Sequence, residues 1–247
     1  TVEAACRLIL ANCSDSKWMF QPSFGPIWRG HKSDLIQNPT AVAGVVNPGA
    51  TERVSQNTTN QYTVFFDNHP ERANWPKRSR SLICSTRKST AIAYSRGSGG
   101  VYAIIPFNGN PIGAVNRLDM WDTKLRYPDY GADVAALNTI WTKLFPNNHT
   151  WKDWVDASDD KNGELAAALT MLTAPQQRKF PQVYYDVWET VEQRGLLGAI
   201  EFLYSNDNLF PQHTLHAPKT MIDVDGEVWL SGQCVAIPSR HWDEVAE

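Results

Sequence analysis

The chain has 247 residues, of which 20% are charged and 42% hydrophobic, and its formal net charge is -3. That length allows one large domain, or a domain with a big insertion, around a sizeable core. There is no basic balance of the kind that advertises nucleic acid or an anionic membrane surface, and no apolar run approaches the ~20 residues of a membrane span. The opening residues have no basic stretch and too short an apolar run for a signal peptide, and the missing initiator Met fits a processed or excised form. Cys6, Cys13, Cys84 and Cys234 contain no C-x-x-C pair, so a zinc site is not expected and the thiols read as buried or free residues of a reducing, cytoplasmic compartment, with a Cys6–Cys13 bridge left open. The sequons at Asn12, Asn57 and Asn148 matter only in a secreted protein.

Residues 2–12 have helical spacing, with Ala4, Ala5, Leu8 and Ile9 on one face. Ile27-Trp28-Arg29-Gly30-His31 reads as a strand end followed by a turn. Arg29 by itself is a surface cation; Gly30, lacking a Cβ, lets a ligand approach the backbone closely. Residues 37–60 are loop-like, rich in Asn, Pro, Gly and Thr, and 61–68 fit either a helix or a strand. Ser81-Leu82-Ile83-Cys84-Ser85-Thr86 predicts a strand ending in hydroxyls, and Ser89 or Thr90 caps the helix after it. Arg96-Gly97-Ser98-Gly99-Gly100 is a glycine loop without the G-x-G-x-x-G spacing of a nucleotide fingerprint. Val101-Tyr102-Ala103-Ile104-Ile105-Pro106 is the clearest strand, Phe107-Asn108-Gly109-Asn110 a turn, and residues 112–115 another short strand.

From 117 to 204 the pattern changes to a helical block between strand-rich flanks, with Val134, Leu137, Ile140, Trp141 and Leu144 at helical spacing. Residues 205–222 form a polar loop bearing His213 and His216. It feeds Asp225-Gly226-Glu227-Val228-Trp229-Leu230-Ser231-Gly232, an acid pair at alternate positions followed by an apolar run and a Ser-Gly turn. On a strand, Asp225 and Glu227 would share one face, and Val228 and Leu230 the core face opposite. Cys234-Val235-Ala236-Ile237 resumes as a further strand. Taken alone, the acid pair suits a solvated strand edge as well as a catalytic site.

Three stretches in order carry a resemblance: Trp28-Arg29-Gly30, Ser85-Thr86-Arg87, and Asp225-Gly226-Glu227 with the Val228-Trp229-Leu230-Ser231-Gly232 that follows. Together they resemble the mono-ADP-ribosyltransferases of the arginine, serine, glutamate class. In that family an Arg-Gly ends the first strand, a Ser-Thr-Ser ends a middle strand, and Glu-x-Glu or Gln-x-Glu opens a later one. Pro76-Lys77-Arg78-Ser79-Arg80-Ser81-Leu82-Ile83-Cys84-Ser85-Thr86 is similar to phage-encoded members, which would act in the host cytoplasm. The pattern departs at two places: Arg87 stands where the family has the second serine, and Asp225 where it has the first Glu or Gln.

The resemblance implies an α+β fold, a split and mostly antiparallel sheet with flanking helices, in a single domain over 1–247 with a helical insertion at about 117–204. It implies NAD as substrate, no metal, and transfer of ADP-ribose to an acceptor protein, with no membrane partner. A nucleic-acid acceptor stays open, as do NAD hydrolysis and a non-catalytic, virion-associated module of the same fold. The implied NAD-binding residues are Arg29, Gly30, Ser85, Thr86 and Arg96, with Arg87 an alternative phosphate contact. The implied catalytic residues are Glu227, Asp225 and Ser85. The chemistry suits these side chains. A guanidinium holds the pyrophosphate, and a carboxylate stabilises the oxocarbenium character that develops as the nicotinamide–ribose bond breaks. Asp225 would face the acceptor, and Ser85 would hydrogen-bond Glu227 and the ribose.

Overall fold

The computed structural model describes residues 1–21, 24–38, 40–53, 63, 66–67, 72–95, 99–115, 118, 193, 213–216 and 224–247. The chain divides into two compact units. One comprises Thr1–Arg53, Glu71–Met120 and Gln212–Glu247; the other comprises Val54–Pro70 and Trp121–Pro211. Most of the second unit lies outside the described residues, as does the helical block expected at 117–204 apart from residues 118 and 193. Residues 63, 66 and 67 are helical, which decides the ambiguous 61–68 stretch at those positions.

The first unit is α+β and built on an eight-stranded sheet. Its strands are β1 (Ile27–Gly30), β2 (Gly44–Val46), β3 (Leu82–Ser85), β4 (Val101–Pro106), β5 (Ile112–Val115), β6 (His213–His216), β7 (Glu227–Leu230) and β8 (Cys234–Pro238). The spatial order is β2-β8-β4-β1-β3-β7-β5-β6, and each pairing is antiparallel. Among the described residues its α-helices are α1 (Val2–Asn12), α2 (Lys88–Tyr94) and α3 (Trp242–Ala246). No described helix is long and apolar enough to cross a membrane.

Local chemistry explains most of these elements. Thr1 caps α1, its Oγ1 accepting the Ala4 N–H at 3.3 Å, and Ala5 and Ile9 are the buried residues of the helix. Leu8 is partly buried, whereas Ala4 faces solvent, so the apolar stripe is narrower than its spacing suggests. The turn after β4 closes with the Asn110 N–H on the Phe107 carbonyl at 3.3 Å, and Gly109 supplies the positive φ of +75° that the bend requires. At α2 the expected cap is displaced. Ser89 and Thr90 lie inside the helix, and Arg87 occupies the cap position without a side-chain cap bond.

Two short strands interrupt stretches expected to be loop. β2 lies within 37–60 and pairs with β8, and β6 lies within 205–222 and pairs with β5. Neither has the run of alternating residues that announces a strand; a partner already in place supplies their hydrogen bonds.

The core runs through the middle of the sheet, with Ile27, Ile104, Ile105, Val228, Leu230, Val235 and Ile237 among its members. All four residues of β7 are buried, and all five of β8. Of the two readings of the acid pair, the solvated strand edge does not hold for Glu227, which is buried along with Val228, Trp229 and Leu230. β1 and β3 meet at a single register pair, Trp28 with Ser85, whereas β3 and β7 are in register over four pairs.

Candidate functional site

Glu227, Ser85 and Trp28 form a row across three neighbouring strands. Ser85 pairs with Glu227 on one side and with Trp28 on the other. Directly opposed residues of antiparallel strands share a face, so the three side chains start from the same side of the sheet. Arg29 follows Trp28 and by alternation leaves the other side. Its Nη1 donates to the Ile83 carbonyl at 2.5 Å, taking an acceptor at the place where β1 and β3 cease to pair. Its Nε–H is buried without a hydrogen-bond partner. Burial lowers the Arg29 pKa from the usual guanidinium value, against the opposing influence of Cys84, Glu227 and Tyr94. Arg29 and Glu227 are thus electrostatic neighbours although they leave the sheet on different sides.

The acid pair does not act as a pair. β7 begins at Glu227, so Asp225 lies before the strand rather than on it. Glu227 is 6% exposed and makes a salt bridge to the guanidinium Nη1 of Arg78, itself 3% exposed. Asp225 is exposed and receives both Nε (2.7 Å) and Nη2 (2.5 Å) of Arg87. That two-point hydrogen bond holds the Asp225 carboxyl below the usual carboxylate range and raises the Arg87 guanidinium. The two positions where the chain departs from the family pattern are therefore each other's partner. Gly226 separates the acids, and its backbone is fixed by Thr86. The Thr86 N–H donates to the Gly226 carbonyl at 3.0 Å, and the Gly226 N–H donates to Thr86 Oγ1 at 2.9 Å. Thr86 thus anchors the entry to β7.

Ser85 is level with Glu227, but its Oγ accepts the Arg87 N–H at 3.0 Å. Among the described residues, the hydrogen bond expected from Ser85 to Glu227 is not present, and the Ser85 hydroxyl oxygen serves this local contact instead. At Gly30 the close approach is made by the protein itself. A Cβ there would stand 1.8 Å from the Ala91 carbonyl oxygen, so its missing side chain makes room for the backbone of α2. Arg96 lies outside the described residues. His31 makes a local bond through Nδ1 with Ser33.

Arg78 is the residue sequence reasoning misses. It sits in a basic run, Lys77-Arg78-Ser79-Arg80, that gives no local reason to bury one member and expose another. Its position is fixed by neighbours distant in sequence. Its guanidinium carbon lies 5.2 Å from the centre of the Trp229 ring. Trp229 is two residues beyond Glu227 on the same face of β7; its indole N–H donates to the Pro76 carbonyl at 2.9 Å, and its ring stacks with Trp75 at 5.8 Å. The Arg78 carbonyl in turn accepts the Nε–H of Arg53 at 3.1 Å.

Burial pushes the Cys84 thiol, close to Arg29 and Glu227, up to about 12, which makes it a poor nucleophile. Cys13 is likewise pushed up to about 12 by burial, and all four cysteines are free. Among the described residues no cluster of three or more His, Cys, Asp or Glu is arranged to hold a metal ion. What is assembled is a buried carboxylate gripped by the Arg78 guanidinium, with the half-buried Arg29 guanidinium close by. Such a set can face an anion with Arg29 and a developing cation with Glu227. Comparison with known protein families, with curated proteins and with solved structures returns no match.

Proposed function

We propose that the protein is an NAD-dependent mono-ADP-ribosyltransferase whose sheet opens between β1 and β3 in the manner of that family. The observation that carries this reading is the convergence of three sequence-distant motifs on adjacent strands. Arg29 comes from β1, Ser85 from β3 and Glu227 from β7, with Ser85 and Glu227 in register. Arg29 meets the pyrophosphate, its unsatisfied N–H providing a donor. Glu227 stabilises the positive character at the anomeric carbon as the nicotinamide–ribose bond breaks. Nicotinamide leaves with the bonding electron pair, the acceptor's lone pair forms the new bond, and the acceptor's proton passes to solvent. Ser85 and Thr86 fix the strand end that presents Glu227.

NAD hydrolysis is the second reading, and one observation favours it. Asp225, the acid that would engage a protein acceptor, already grips Arg87. Water needs no such grip. One experiment separates the readings: labelled NAD is incubated with the protein and a cell lysate, and label on protein is measured beside free ADP-ribose. Transfer predicts labelled protein, hydrolysis predicts free ADP-ribose, and a protein that yields neither is not an enzyme of this class. Glu227→Gln should retain NAD binding and lose roughly 10²–10³-fold in rate, the effect of removing one electrostatic stabiliser; an unchanged rate removes Glu227 from the chemistry.

A further inference from the structure

We propose, on the basis of the activity inferred above, that Arg78 is a positioning residue that fixes the Glu227 carboxylate for bond cleavage. Both members of the pair are buried, and their positions are separated by 149 residues in the chain. A buried ion pair is a weak source of stability, since apolar residues of similar volume serve as well or better. What the pair provides is direction. The planar guanidinium offers fixed N–H vectors, so it holds a carboxylate in one orientation where a lysine supplies only a point charge.

The surroundings hold that guanidinium in turn. One face lies over Trp229, whose indole N–H is tied to Pro76 and whose ring occupies the space a side chain at Gly113 would fill. Trp75 stacks on Trp229 and Arg72 lies over Trp75, 4.6 Å from the ring centre, continuing the layer outward. The Arg53 side chain binds the carbonyls of both Arg78 and Ser81, each at 3.1 Å, pinning the turn that presents Arg78. Glu227 starts a strand whose backbone is locked to β3 over four register pairs, and Arg78 acts on its side chain. A carboxylate displaced by about 1 Å from the anomeric carbon loses on the order of 10²-fold in rate.

The test measures steady-state NAD cleavage in the full chain for wild type, Arg78→Lys, Arg78→Met and Arg78→Ala. Folding is monitored by far-UV circular dichroism, and the Ala variant is assayed with and without added methylguanidinium. Positioning predicts a kcat loss of roughly 10²-fold in Arg78→Met with KM for NAD changed by less than about threefold. It also predicts a smaller loss in Arg78→Lys and partial recovery of kcat in Arg78→Ala with methylguanidinium. An unchanged kcat in folded Arg78→Met overturns the proposal. So does a raised KM with unchanged kcat, which would make Arg78 an NAD contact, or a loss that follows the folded fraction alone with no rescue. A wild-type protein that leaves NAD intact overturns the activity itself, and no variant is needed to see it.

Discussion

Replacing Arg78 with methionine removes one partner of a buried ion pair and takes this salt bridge from the other, Glu227. Arg78 is 3% exposed and Glu227 6%, so bulk water cannot restore what is lost. Breaking such a pair costs about 3–5 kcal/mol. Loss of the guanidinium from the Trp229 face adds about 0.5–2 kcal/mol, with the flexible thioether recovering part of the packing. At roughly 2–4 °C per kcal/mol for a chain of this size, a 4 kcal/mol loss lowers the melting midpoint by about 8–16 °C. The double variant Arg78→Met/Glu227→Leu removes the buried ion pair as a whole and should recover part of that loss, although Arg29 then loses the Glu227 charge beside it. Urea unfolding of wild type, both single variants and the double variant gives the coupling directly. If Arg78→Met costs under about 1 kcal/mol and the single effects simply add, the carboxylate does not depend on Arg78 and the positioning argument falls with it.

Arg29→Ala should weaken NAD binding by about 1.5–3 kcal/mol and Arg29→Lys should restore part of it; an unchanged calorimetric titration would reduce Arg29 to a cap on the Ile83 carbonyl. Asp225→Ala should lower transfer to protein while leaving slow NAD hydrolysis, and an equal fall in both products would assign Asp225 to the NAD chemistry or to folding. The Asp225–Arg87 clamp should persist below the ordinary carboxylate range. The folded pKa of Asp225 is depressed, so what the clamp contributes is present above the unfolded value and lost only as pH falls through the lower folded one; a carboxyl-carbon NMR titration of Asp225 with an ordinary midpoint would contradict this. Gly113→Ala should destabilise by about 1–3 kcal/mol, because the new Cβ would lie 2.1 Å from Cε2 of the fully buried Trp229 ring; unchanged urea unfolding would show that the ring can move aside.

Strands whose residues carry their own signal were legible in the sequence: β4, β5 and β8 lie where the apolar runs put them, and the Gly109 turn follows β4 as its residues require. Ser85 at a strand end was legible too, and so was the Glu227 strand once its start is moved past Asp225. The failures share a cause. β2 and β6 are strands because a neighbour is available, and no local pattern records a neighbour. The separation of Asp225 from Glu227 depends on Arg87 and Arg78, two members of unremarkable basic runs, choosing different acids. Gly30 carried a true signal, that something approaches its backbone closely, but the sequence could not say that the visitor is α2. The burial of Glu227 was invisible because it is imposed by the segment bearing Trp75 and Arg78, whose contact with β7 spans more than half the chain.

The strand order has a consequence for how the protein is made. β7 and β8 follow every other strand of the sheet in sequence, yet both take interior places, β7 between β3 and β5 and β8 between β2 and β4. An elongating chain that has already released β3 and β5 holds two unsatisfied strand flanks until β7 leaves the ribosome and enters between them. Arg78 and Ser85 wait with it, since neither has Glu227 to face. On the proposed activity, a nascent chain would be inert toward NAD until β7 and β8 are in place. The same interval leaves open strand edges exposed, so slow synthesis or truncation ahead of Glu227 should yield aggregated rather than partly active protein.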